Sequence, residues 1–319
     1  MGIIKLNPVL KEIIWGGQRL KELYNGEGME NIAEAWVLSC HRDGESVVAE
    51  GEYSGLPLSR ALEKMGPGAV GTARGKDGFP ILIKFIDASD RLSVQVHPGN
   101  EYARVNENDS GKTEAWYILD CEPDSELIYG FKETLTREAL RQKITDGSLL
   151  GCVNSVKVKK GDVAFIPSGT LHAIGAGILL AEVQQSSNAT YRVFDYDRRG
   201  ADGKTRELHV DKAVDVLDTS ASAADFSPCS PTEDFGAYSQ TVLSRCEYFT
   251  VLLLEIRGAC SKTADRRSFV SLVILEGSGS LDCGGEKLTL AKGDSIFIPA
   301  DSGDFALTGE MKILETRII

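Results

Sequence analysis

Two of the chain's four histidines lie in motifs able to serve one metal ion, Ser93-Val94-Gln95-Val96-His97-Pro98 and Phe165-Ile166-Pro167-Ser168-Gly169-Thr170-Leu171-His172. A carboxylate, Glu114, stands between them in Gly111-Lys112-Thr113-Glu114-Ala115-Trp116-Tyr117. It opens an apolar run with strand character, so it is expected to point from a rigid sheet into a cavity. Two imidazoles and one carboxylate suit a catalytic divalent cation, because they leave a coordination position open for water or substrate. His41 and His209 have no comparable motif and are read as structural.

Two further charged residues fit the same face chemistry. Lys112 precedes Glu114 by two residues, so on an extended chain it shares that face and can meet a substrate as a cation or a proton carrier. Glu182 closes the apolar run Gly177-Ile178-Leu179-Leu180-Ala181-Glu182. Burial at such a position raises a carboxyl pKa toward the general-base range, and Glu182 is read as the base. Taken singly, each of these residues has a plainer reading as a solvated strand-end charge or a structural ion pair. Trp36 and Trp116 sit in apolar patterns and are read as core.

The elements that must hold these groups are short strands. β-Rich runs bounded by Gly, Asp or Asn recur at 35–39, 81–86, 115–119, 155–158, 163–167, 178–183 and 191–195. Such spacing describes antiparallel sheet in a sandwich or barrel. Helical patterns are few: Thr136 is placed as N-cap of a helix through Ile144 with Leu140 and Ile144 on one face, and 56–65 is a second, shorter candidate. Gly161-Asp162-Val163-Ala164-Phe165-Ile166-Pro167 is echoed by Gly293-Asp294-Ser295-Ile296-Phe297-Ile298-Pro299. In the first copy a histidine follows the proline by five residues; in the second that position is Asp304, and no histidine follows His209. The expected fold is therefore mainly β, two jelly-roll barrels with a few short helices, of which only the first carries a metal site. A small-residue and proline stretch near 219–234 cannot build a core. It divides the chain into a catalytic domain over 1–218, a linker over 219–234 and a second barrel over 235–319.

Composition bounds the partners. The chain has 319 residues, with 47 acidic against 35 basic groups and a formal charge of -12, which disfavours nucleic acid and anionic lipid. The seven cysteines are scattered and never spaced Cys-x-x-Cys, which argues for reduced thiols in a cytosolic protein. Neither a signal-peptide core nor a membrane-spanning run is present. A cytoplasmic, soluble protein acting on a small molecule is expected; its oligomeric state is not legible.

The ordered motifs resemble the type I mannose-6-phosphate isomerases, in the short bacterial form built of two cupin-type barrels. The resemblance runs through Ile14-Trp15-Gly16-Gly17, Glu34-Ala35-Trp36-Val37-Leu38-Ser39, Leu82-Ile83-Lys84-Phe85-Ile86-Asp87-Ala88, both histidine motifs, Gly111 to Trp116, and Ser186-Ser187-Asn188-Ala189-Thr190-Tyr191-Arg192. It implies that Gln95, His97, Glu114 and His172 bind one zinc ion and that Arg192 is the active-site arginine. Gln95 and His97 alternate on one strand face, which suits a shared ligand role. Arg192, permanently charged, would neutralise an oxyanion or hold a phosphate through paired hydrogen bonds. Where larger members carry Ser-Asp-Asn this chain has Ser186-Ser187-Asn188, and it has no room for their helical insertion between Glu114 and His172. The implied reaction is the zinc-dependent interconversion of mannose 6-phosphate and fructose 6-phosphate through an enediolate. The residues alone leave two rivals: a non-haem-iron oxygenase, which uses the same two-histidine, one-carboxylate set, and a silent sugar-phosphate-binding bicupin.

Overall fold

A computed structural model describes residues 2–73, 78–200 and 203–319. The expected runs are strands at Glu34–Leu38, Ile81–Ala88, Glu114–Cys121, Val153–Lys157, Val163–Ile166, Ile178–Gln185 and Tyr191–Phe194. Helices are short, as expected. In Arg137–Thr145 the Thr136 hydroxyl accepts from the Ala139 N–H at 3.1 Å, satisfying a first-turn donor, and Leu140 and Ile144 are buried. No helix among the described residues is long and apolar enough to cross a membrane.

The chain forms two compact units; one change between them falls between Phe226 and Ser227, inside the stretch 219–234, and the others fall after Leu10, Glu34 and Lys84, where composition marks no break. One comprises Met1–Leu10, Ala35–Lys84 and Ser227–Ile319; the other comprises Lys11–Glu34 and Phe85–Phe226. The reason is long-range pairing that composition does not reveal. Ile4–Asn7 pairs antiparallel with Ser295–Ile298, Ile4 opposite Phe297 and Leu6 opposite Ser295, so the start of the chain supplies a strand to the C-terminal sheet. The stretch read as a linker is itself structured. Phe226 packs on a core of the second unit and its carbonyl accepts from the Val163 N–H, while Cys229 and Ser230 donate to the carbonyls of Leu243 and Val242.

The first unit holds a ten-stranded antiparallel sheet around a core that includes Leu254, Leu272, Ile296, Phe305, Leu307 and Ile313. In the second unit a five-stranded sheet runs in the order Val153–Lys157, Glu126–Phe131, His172–Ile174, Val94–Val96, Tyr191–Phe194. Val163–Ile166, Glu114–Cys121 and Ile178–Gln185 are consecutive strands of a second sheet, with Val163–Ile166 at its edge. The two sheets face each other: the Trp116 and His172 rings are 5.5 Å apart edge to face, and the Tyr129 hydroxyl donates to the Phe165 carbonyl at 3.2 Å. The Gly16-Gly17 motif has a packing cause, since a Cβ on Gly17 would fall 2.3 Å from Asp87 Oδ2. That carboxylate is already held by the Arg19 backbone N–H and guanidinium.

The sequence repeat is reproduced bond for bond. Gly161 and Gly293 both adopt left-handed backbone, φ 94° and 92°, which favours glycine. Their N–H groups donate to Ile118 and Ile274, while Asp162 and Asp294 accept from those same residues through their carbonyls. The pairings then match in order: Ala164–Trp116–Glu182 in one unit and Ile296–Leu272–Glu315 in the other. Glu315 is thus the counterpart of Glu182, and Val270, opposite Ile298, stands where Glu114 stands opposite Ile166. The C-terminal unit keeps the frame and has an aliphatic residue where the other unit has the Glu114 carboxylate.

Candidate functional site

Strand register brings the expected residues to one place. In the five-stranded sheet Tyr129 pairs with His172, His172 with Gln95, and Gln95 with Arg192. Directly opposed residues of antiparallel strands project to the same face, so these four side chains form a row across the sheet. The opposing sheet aligns Ile166–Glu114–Gln184 and, two residues on, Ala164–Trp116–Glu182. His97 lies one residue past the strand Val94–Val96, where Pro98 stops pairing. Its carbonyl accepts from the N–H of Gly169, a left-handed residue at φ 88°, which ties the His97 segment to the turn that delivers His172.

The ligating atoms of His97, Glu114 and His172 all lie within 4.8 Å of one another, and all three residues are buried. The two Nε2 atoms are 3.1 Å apart; Glu114 places Oε2 3.6 Å from that of His97 and Oε1 3.5 Å from that of His172. Each Nδ1 meets a backbone carbonyl, His97 that of Ala189 at 2.8 Å and His172 that of Thr170 at 2.9 Å. A carbonyl only accepts, so both Nδ1 atoms carry the proton and both Nε2 lone pairs turn toward the same point. Two nitrogens at about 2.0–2.1 Å from one tetrahedral ion would stand roughly 3.3 Å apart. The donor set therefore fits a divalent cation. Burial pushes the His172 imidazolium down to about 4, outweighing the Thr170 carbonyl, which favours the charged form; the ring is neutral at pH 7, as a ligand must be.

Gln95 borders the cluster. Its amide nitrogen is 3.4 Å from His172 Nε2, while its oxygen accepts from the Ser93 hydroxyl at 3.3 Å. A half-turn of the amide presents the oxygen to the cluster instead.

The charged residues singled out in the sequence are present around these donors. The Lys112 ammonium lies 2.7 Å from Glu114 Oε2, 3.0 Å from His97 Nε2 and 3.5 Å from Glu182 Oε1. Glu182 accepts from the Trp116 indole N–H at 2.9 Å through its other oxygen. Trp116 was read from sequence as core; it is core, and it also orients Glu182. Its period-2 spacing from Glu114 carried that signal. Arg192 is half-buried, and among the described residues no carboxylate lies within ion-pair distance of its guanidinium. Burial first, then the neighbouring Arg206, disfavours its charge, with Asp195 and Glu207 opposing. Arg198 and Arg206, by contrast, both bind Asp195. A half-buried guanidinium with no carboxylate at ion-pair distance among the described residues, on a strand in register with Gln95, suits an anionic ligand.

Comparison with known proteins agrees with this arrangement. Residues 3–127 match the family described as phosphomannose isomerase type I, catalytic domain, and residues 239–318 match mannose-6-phosphate isomerase, cupin domain. The mannose-6-phosphate isomerase ManA of Bacillus subtilis is 40% identical over 318 residues, covering 98% of this chain and 97% of that protein. A mannose-6-phosphate isomerase of Streptococcus mutans is 37% identical over 313 residues, 98% of this chain and 97% of its own length. The crystal structure of the Bacillus subtilis mannose 6-phosphate isomerase superimposes with a TM-score of 0.91 at 36% identity, covering 99% of both chains.

Proposed function

The chain belongs to the type I phosphomannose isomerase family and is an aldose–ketose isomerase, and from that premise we propose that it interconverts mannose 6-phosphate and fructose 6-phosphate at one zinc ion. Gln95, His97, Glu114 and His172 are the proposed ligands. The observation that carries the reading is the convergence of two Nε2 lone pairs and a carboxylate within 4.8 Å, flanked by Lys112, with Arg192 in register with Gln95 on the same sheet. Zinc, when bound, supplies Lewis-acid polarisation of the sugar oxygens and so stabilises the charge that develops on them.

The remaining chemistry belongs to the protein's own groups. Isomerisation removes a proton from the carbon beside the carbonyl, leaves an enediolate, and returns a proton to the adjacent carbon. Glu182 was expected to be the base. One of its oxygens is held by Trp116 and the other faces Lys112, so it reaches the ligand atoms through Lys112. We therefore assign Lys112 as the group that meets the substrate as cation and proton carrier, and Glu182 as the carboxylate that takes and returns its proton. Arg192 is assigned to the phosphate or the developing oxyanion, since among the described residues its guanidinium has no ion-pair partner to displace. The near-complete burial of His97, Glu114, His172, Lys112 and Glu182 keeps the proton away from bulk water. All seven cysteines are free thiols, which supports a reducing, cytoplasmic setting.

Metal analysis of the purified protein, together with a coupled assay of mannose 6-phosphate conversion before and after chelation, tests the proposal. One zinc per chain and turnover that disappears with the metal are expected. Full turnover in metal-free protein, or oxygen uptake without isomerisation, would overturn it.

A further inference from the structure

The strand Tyr191–Phe194 is the outermost of its five-stranded sheet, so one row of its backbone groups faces away from the neighbouring strand. At Arg192 a single residue takes up both of those groups. The Arg192 N–H donates to His209 Nδ1 at 3.1 Å, and the His209 N–H donates to the Arg192 carbonyl at 2.8 Å. This happens where the ladder is weakest, because pairing with Val94–Val96 slips between Arg192 and Phe194. His209 is itself anchored: its carbonyl accepts from the Ala213 N–H in the first turn of the helix Val210–Val216, and its ring lies 6.1 Å from that of Tyr191.

We infer that His209 is a positioning residue for the isomerisation, closing both outward backbone groups of Arg192 and so fixing the edge strand at the residue whose side chain shares a face with Gln95 and His172. The inference rests on the assignment of Arg192 to the substrate. Its chemistry is specific to a neutral ring, because Nδ1 must offer a lone pair and only Nε2 can carry the proton. An imidazolium would turn an N–H toward the Arg192 N–H and break the clamp. The charged and titratable groups facing the ring are Arg192 and Tyr191 on the strand, Glu207 before it, Lys212 on the helix and Glu107 on the segment that binds Tyr191. Burial, then the charge of Arg192, holds the ring's pKa below its ordinary value, which keeps the acceptor available at neutral pH.

The test is a double-mutant cycle read in kcat/KM, with metal content and thermal midpoint measured for every protein. His209→Ala is expected to lower kcat/KM roughly tenfold at unchanged metal content, the scale of a displaced binding group. His209→Asn, whose side-chain oxygen can accept in place of Nδ1, should retain activity within about twofold, and His209→Ala should cost less than about twofold in an Arg192→Ala background. An equal cost with and without Arg192, or a wild-type-like His209→Ala beside a crippled Arg192→Ala, overturns the inference alone. Full activity of Arg192→Ala overturns the assignment of Arg192 as well. If the alanine protein does not fold, His209→Asn and His209→Leu carry the test at neutral pH: the asparagine protein should stay within about twofold of wild type and the leucine protein, which offers no acceptor to the Arg192 N–H, should lose roughly tenfold in kcat/KM. An equal loss in the two overturns the clamp.

Discussion

The Nε2 atoms of His97 and His172 face each other at 3.1 Å while both Nδ1 atoms are committed to backbone carbonyls. Two lone pairs held this way by the main chain favour a shared cation over any rotation of the rings. Strand pairing fixes the arrangement before any metal arrives, because His172 is in register with Gln95 and the Gly169 N–H is bonded to the His97 carbonyl.

Metal binding should therefore stabilise the folded protein measurably. A ligand that binds only the native state contributes about 4 kcal/mol when its free concentration is 1,000 times its Kd. Titrating zinc into chelator-treated protein is expected to raise the thermal midpoint in a concentration-dependent way, and His97→Ala or His172→Ala should abolish the rise. A midpoint indifferent to zinc in the wild-type chain would contradict the ligand assignment.

The order of Lys112, Glu182 and Trp116 from the cluster outward sets a second expectation. Lys112→Met should lower kcat by about 10²–10⁴, the usual contribution of a proton-transfer group, with a smaller change in KM. Glu182→Gln should cost less than Lys112→Met, and Trp116→Phe least, since it removes only the indole bond that orients Glu182. Steady-state kinetics with solvent-proton exchange into the sugar reads the series. A Glu182→Gln defect larger than that of Lys112→Met would return the base to Glu182.

The acid limb of stability has an identified contributor. Burial alone would raise the Asp195 carboxyl, but Arg206 and Arg198, bonded to it at 2.5–2.8 Å, hold it below the ordinary aspartate range. A depressed folded-state pKa contributes stability that is present above the unfolded value of about 3.9 and disappears as pH falls through the folded value. Asp195→Asn should therefore cost about 1.5–3 kcal/mol at pH 7, the scale of charge-assisted hydrogen bonds, and the gap should be smaller at about pH 3, below the unfolded value. Denaturant unfolding at both pH values measures the difference. A gap that persists undiminished at low pH would rule out the carboxylate as its source.

Much of the site was legible because its logic is local. The period of two in Lys112-Thr113-Glu114-Ala115-Trp116 puts three functional side chains on one face, and the left-handed Gly169 in its turn explains the spacing from Pro167 to His172. What escaped depends on which strands become neighbours. The bond from Trp116 to Glu182 exists only because Glu114–Cys121 pairs with Ile178–Gln185 in one register. The clamp from His209 to Arg192 joins residues whose motifs share nothing. Composition marked 219–234 as a break, and one division, between Phe226 and Ser227, falls inside it; the pairing of Ile4–Asn7 with Ser295–Ile298, which gives the first residues to the C-terminal unit, left no such mark. Propensity sees an element's own residues and is blind to the partner that closes its hydrogen bonds.

The C-terminal unit gives a last expectation from the repeat. Glu315, counterpart of Glu182, is fully buried, with Lys262 Nζ 2.7 Å from one oxygen and Arg317 Nε 2.7 Å from the other. The Lys262 ammonium also donates to Gln240 at 2.9 Å. A buried carboxylate of the repeated frame is thus neutralised by fixed side-chain cations. Removing one partner of a buried pair costs about 3–5 kcal/mol when it strands the other charge, and Arg317 limits that here. Lys262→Met should therefore destabilise the protein by roughly 2–3 kcal/mol, and the double substitution Lys262→Met with Glu315→Leu should recover most of it, because an apolar pair of similar volume leaves no buried carboxylate, while Arg317, partly exposed, keeps water and the Thr263 carbonyl as partners. Chemical denaturation of the wild type, the single variant and the pair decides the matter. A double variant no more stable than Lys262→Met alone would mean that packing, and not charge compensation, is what Lys262 supplies.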